Sequence, residues 1–112
     1  MCLYIDKFIN HAIKHTESSL EGDYKSGNIE YDSLVKIGKK IKEINEISSL
    51  RNLYTHPNLG VQIWAATLTL PYFGEEAKEV LKEIINKDIK HHSFTAKMTL
   101  QEWNEGNLIP LI

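Results

Sequence analysis

The sequence predicts an all-α fold of about six helices, paired as three antiparallel hairpins over residues 1–112 as one unit. Three observations predict it. Apolar residues recur at spacings of three and four along most of the chain. The stretches between these periodic segments are short and hold glycine, proline or small polar residues. No alternation of apolar and polar residues runs long enough to build a strand, and short connections favour antiparallel neighbours.

The first helix is expected from about Leu3 to Ser19, with Ile5, Phe8, Ile9, Ala12 and Ile13 on one face. Ser18 to Asp23 is a polar break containing Gly22. Asp23 then suits the N-cap of a second helix ending near Glu43, since a short acceptor side chain satisfies the free amides of a first turn. Tyr31, Leu34, Ile37, Ile41 and Ile44 form its stripe. Gly27 and Gly38 each weaken it by about 1 kcal/mol relative to alanine, so a break near either is open. A short third helix, Glu46 to Tyr54, would bury Ile47, Leu50 and Tyr54. His56 precedes Pro57 and is pushed out of the helical region, which ends that helix.

The fourth helix, Leu59 to Leu70, is apolar nearly all round. Val61, Trp64, Ala65 and Leu68 mark one face, and Leu59, Ile63, Ala66 and Leu70 another. Such a helix must be covered on several sides, so it is expected at the centre with Trp64 buried. Pro71-Tyr72-Phe73-Gly74 reads as a break. A fifth helix starts at Glu75 and Glu76, where acidic groups suit the helix dipole, and buries Ala77, Val80, Leu81, Ile84 and Ile85. Lys78, Glu79, Lys82, Glu83 and Lys87 lie opposite. Asp88 to His92 reads as a loop. Ser93 is expected to cap a sixth helix, Phe94 to Glu105, ended by Gly106. In it Phe94 pairs with Met98, and Ala96 with Leu100 and Trp103. The apolar tail from Asn107 to Ile112 is expected to fold back on the body.

Composition narrows the function classes. A net charge of −2 lacks the basic excess of a duplex-binding domain, so direct nucleic-acid binding is not expected. No apolar run approaches the roughly 20 residues that cross a bilayer. The N-terminal residues show no basic leader before an apolar stretch, so a cytoplasmic location is expected. Cys2 is the single cysteine, which rules out an internal disulfide and fits a reducing compartment.

The stretch from His56 to Leu70 resembles the second helix of a HEAT repeat: a proline turn, then a helix with a valine, a small pair and a leucine. Gln62 stands where many such repeats carry arginine, which removes the usual arginine-to-acid bond between repeats. Gly22-Asp23-Tyr24-Lys25, Asn28, Tyr31, His56 to Ala66, Ala77 to Leu81, and Phe94, Ala96, Met98, Leu100, Glu102, Trp103 and Gly106 resemble a family of small bacterial proteins, the domain of unknown function numbered 2019. The resemblance implies HEAT-like packing. It also implies a role ascribed to some similar proteins: an immunity protein that binds a cognate toxin, polymorphic or contact-delivered, and blocks it.

Individual residues carry little chemistry of their own. His11 and His15 share a helix face at a spacing that suits two metal ligands, but no third ligand accompanies them. Asp88, His91 and His92 would make an acid–base cluster, but without an activated nucleophile. Lys36, Lys39, Lys40 and Lys42 form a basic face without interleaved aromatics, read as a solvated surface. No glycine-rich phosphate loop occurs. No metal, cofactor or catalytic residue is therefore expected. The partner-binding candidates are Glu75, Glu76, Glu79, Glu83, Glu102 and Glu105, with Trp103 as an anchor. If the exposed faces of their two helices adjoin, they form a negative patch suited to a basic toxin active site, such as that of a nuclease. A HEAT-like adaptor is the alternative within binding proteins. A small hydrolase or nucleic-acid-acting protein is the alternative in another class. The oligomeric state is left open.

Overall fold

The computed structural model describes residues 3–112; Cys2, and the expectation attached to it, lies outside them. The described chain forms α1 (Leu3–Glu21), α2 (Tyr24–Glu43), a 3-10 segment (Ile47–Thr55), α3 (Leu59–Asn86) and α4 (Lys90–Asn104). There is no strand among the described residues. The all-helical class is as predicted, and the count is not: four α-helices and one 3-10 segment replace about six helices.

Local chemistry explains each boundary. Gly22 at φ +73° ends α1 in the left-handed region and lets the Asp23 amide bond the Ser18 carbonyl at 2.8 Å. Asp23 then accepts from the Ser26 amide at 3.1 Å and starts α2. Asn45, at φ 57°, ends α2 in the same way, with Glu46 N bonding Ile41 O at 2.9 Å. Asn58 caps α3 by accepting from the Val61 amide at 3.1 Å. His56 is extended, and its Nδ1 accepts from the Asn58 amide at 3.0 Å. Gln62 donates from Nε2 to the His56 carbonyl at 2.6 Å, so it braces its own turn.

Three boundaries differ from expectation. The third segment is 3-10, not α; with three residues per turn, Leu50 and Leu53 stack on one side and both are buried. Pro71 lies inside α3, where the backbone kinks at Phe73 (φ −127°, ψ 40°) instead of stopping. Proline removes one intrahelical donor and crowds the preceding turn. The helix resumes because Ala77, Val80, Leu81 and Ile84 beyond the kink pack into the same core as Ile63, Ala66 and Leu70 before it. Finally, α4 starts at Lys90, and Ser93 is buried within it, not at its cap. Its hydroxyl accepts from the Ile89 amide at 2.7 Å and donates to the Ile84 carbonyl at 2.6 Å, tying the end of α3 to the start of α4.

Helix α1 packs on α2, the 3-10 segment on α3, and α3 on α4, with α1 also reaching α3. The two faces predicted for residues 59–70 correspond to two separate core clusters. Val61, Ala65 and Leu68 join Phe8, Ala12, Leu34, Ile41 and Leu50 on one side. Ile63, Ala66 and Leu70 join Leu81, Ile84 and Ala96 on the other. The first limb of α3 is thus the axis between two layers. Gly60 and Gly38 are points of closest approach. A Cβ on Gly60 would collide with the Thr16 side chain of α1. One on Gly38 would lie 2.9 Å from Ile112 Cγ2 and 3.1 Å from Leu68 Cδ1, so Gly38 makes room for the returning tail and does not break α2. The tail folds back as expected: the Ile112 side chain is buried, and its carbonyl accepts from Lys42 Nζ at 2.9 Å and Tyr72 Oη at 2.8 Å.

Candidate functional site

The predicted acidic candidates occupy the second limb of α3 and the end of α4. Glu75, Glu76, Glu79 and Glu83 are all exposed, as is Glu105, while Glu102 and Trp103 are half-buried. Glu76 is held by a two-point bond to Arg51, whose Nε and Nη2 donate at 2.8 and 2.7 Å. Arg51 also lies 4.9 Å over the Phe73 ring, bracing the kink. Glu75, Glu79 and Glu83 remain as a row, one turn apart and spanning about 12 Å of helix. Lys78 approaches Glu75 at 3.8 Å and Lys82 approaches Glu79 at 3.6 Å. Lys78 thus turns to Glu75. Glu105 accepts from Gln101 and Asn107. Trp103 packs against the α3–α4 core cluster.

A second site brings His15 together with His91 and His92, which the sequence places in two separate candidate clusters. A groove runs between α1 and α4, with the first limb of α3 as its floor. At one end is a cleft of about 50 Å³ lined by His15, Ser19, Trp64, His91 and His92. His15, Ile63, Trp64 and Thr95 also line an adjoining, more apolar hollow of about 220 Å³, walled by Tyr31, Leu108 and Leu111. Trp64 is therefore half-buried at the core's edge and not enclosed as expected. Its indole N–H donates to His15 Nδ1 at 3.3 Å, and its ring meets His15 and Tyr31 edge-on, at centroid distances of 5.0 and 5.5 Å. An indole nitrogen only donates. Neutral His15 must then carry its proton on Nε2. Across the cleft, His91 Nε2 and Ser19 Oγ are 3.3 Å apart.

Burial lowers the His15 pKa below the usual imidazole value; Glu30 opposes this and His91 adds to it. Burial lowers that of His92 as well, with His91 contributing. Both rings favour the neutral form at neutral pH. His11 pairs with Glu30 of α2 instead of sharing a ligand with His15. No group of three or more His, Cys, Asp or Glu among the described residues is arranged to hold a metal. The α2 lysines are exposed, and Lys42 is engaged by the tail. No helix of the described residues is long and apolar enough to cross a membrane.

These features define a small all-helical protein with an acidic row on one helix limb and an amphipathic groove between two layers. The chain belongs to the family described as Domain of unknown function (DUF2019), whose profile matches residues 5–104. Its fold is similar to that of the crystal structure of the protein RPA1889 from Rhodopseudomonas palustris CGA009, with a TM-score of 0.85 at 22% identity, covering 96% of this chain and 90% of that one. No curated protein matches the chain.

Proposed function

We propose that this protein is a non-enzymatic immunity protein with HEAT-like packing, which binds a cognate toxin domain in the cytoplasm and blocks it. The observation that carries the proposal is the exposed row Glu75, Glu79 and Glu83. Like charges one turn apart on a helix repel each other. A row that the fold does not neutralise completely is suited to a cationic surface, and the active site of a nuclease toxin presents one. Such complementarity raises the association rate and suppresses wrong partners. Half-buried Trp103 is the aromatic anchor nearest in kind to those that dominate binding energy at interfaces.

The test is co-expression with the toxin domain encoded beside it. The wild-type chain should restore growth and form a one-to-one complex with that domain. Charge reversal at all three positions, E75K/E79K/E83K, should abolish rescue and slow association at least tenfold while leaving the helical circular dichroism intact. Rescue undiminished by the reversal would overturn the assigned surface. Absence of both binding and rescue by the wild type would overturn the immunity role. Capture of a different partner without rescue would identify an adaptor instead.

A further inference from the structure

The α1–α4 groove uses none of the acidic-row residues, and its chemistry points elsewhere. One end gathers three imidazoles from two helices around a cleft large enough for one small polar group. His15 lines it as the Nε2–H tautomer, because Nδ1 is taken by Trp64. Ser19 adds a hydroxyl, and His91 and His92 add rings that donate or accept according to their protonation. No Asp, Glu, Lys or Arg lines the cleft or the adjoining hollow. Lys90 lines a neighbouring surface hollow together with His91 and His92. The hollow on the other side is mainly apolar, with Trp64, Tyr31 and Leu111 as walls and threonine hydroxyls between them. Its about 220 Å³ lies below the roughly 300–1,000 Å³ of a drug-sized site.

We propose that this groove binds a small monocarboxylic acid with an apolar body, the carboxylate seated among His15, His91 and His92 and the body lying on Trp64, Tyr31 and Leu111. The polar end supplies donors and latent positive charge and no fixed anion. A carboxylate is therefore favoured over an amine, which the protonatable rings and Lys90 would repel. It is favoured over an alcohol because a bound anion stabilises imidazolium at the α4 rings, which a neutral group does not, while His15, whose Nδ1 accepts from Trp64, serves as a neutral donor. Binding accordingly takes up a proton. The titratable groups around the cleft and hollow are Glu30 and Tyr31 of α2, His91, His92 and Lys90 of α4, and His11 one turn back from His15 on α1. Glu30 is engaged by His11, which leaves the cleft side of His15 to the ligand.

The probes are 4-phenylbutyrate and octanoate, with 4-phenylbutan-1-ol as the neutral match, titrated into the full chain by calorimetry and by ring-nitrogen NMR of the histidines. The acids should bind about tenfold or more tightly than the alcohol. Their affinity should rise as pH falls from about 7.5 to 6, with heats that depend on the buffer's ionisation enthalpy. His15→Gln and, as a variant on the other helix, His91→Gln should each weaken the acids several-fold and leave the alcohol unchanged; thermal melts establish that each variant is folded. Equal binding of acid and alcohol, or acid binding without proton uptake, would overturn the carboxylate assignment. No shift of any groove histidine at millimolar acid would overturn the site.

Discussion

Trp64 of α3 donates its indole N–H to Nδ1 of His15 on α1 at 3.3 Å, and that single bond sets the tautomer of a half-buried histidine. Burial of the same ring couples this part of the fold to pH. His15 and His92 have pKa values lowered by burial, so the unfolded chain binds more protons than the folded one around and below pH 6.5. Stability therefore rises with pH in that window and is lost as pH falls through the folded values. Urea midpoints measured across mildly acidic pH should fall, and His15→Gln should flatten the fall. Trp64→Phe keeps most of the packing and removes the donor, and should cost about 1 kcal/mol at neutral pH.

Gly60 is expected to resist even alanine. Alanine gains about 1 kcal/mol of helix propensity over glycine. Its Cβ would strike the Thr16 side chain, and overpacking of this kind costs about 1–3 kcal/mol. Gly60→Ala should lower the melting temperature, and Thr16→Ala in the same chain should recover part of the loss. The recovery is incomplete because Thr16 Cβ itself lies 2.9 Å from the new atom.

Thr69 is fully buried and donates to the Ala65 carbonyl at 2.7 Å while meeting the Tyr54 hydroxyl of the 3-10 segment. Burial raises the Tyr54 pKa, so its phenol stays protonated and needs a partner. Thr69→Val is nearly isosteric but removes that partner. It should cost about 1–3 kcal/mol in denaturant titrations. Adding Tyr54→Phe should cost less than the two single losses together, since it removes the group left unsatisfied.

Arg51 clamps Glu76 and covers Phe73 at the kink of α3. Both charged partners are half exposed, so the pair is worth at most about 1 kcal/mol. Arg51→Met should lower stability by no more than that, and the difference should shrink in high salt as screening weakens the pair in the wild type. Hydrogen exchange across residues 71–76 should speed up, because the contact acts locally.

Leu68 is buried beside Gly38 and Ile112. Leu68→Ala should cost about 2–5 kcal/mol, read from chemical denaturation, because it empties the centre of one layer.

Periodicity made the helices legible and even divided residues 59–70 into the faces that belong to two different clusters, because an apolar stripe reports which side of a helix leaves water. Caps were equally legible at Asp23 and Gly106, where short-range chemistry dominates. Proline at position 71 misled, since its local cost is outweighed by the packing of Ala77 to Ile84 on the same core. Ser93 misled similarly: a good cap residue is drawn inside because its hydroxyl has a buried carbonyl to reach.

The sequence by itself determined that this chain is helical, which residues are apolar-facing and where most turns fall, all of which follow from interactions within about four residues. Only the tertiary structure decided that Glu76 is spent on Arg51, that Gly60 must stay small for Thr16, and that His15, Ser19, Trp64, His91 and His92 line one cleft. Those residues lie far apart along the chain, and no local spacing records which helix faces which. Their meeting is set by the packing of α1 and α4 onto the two sides of α3.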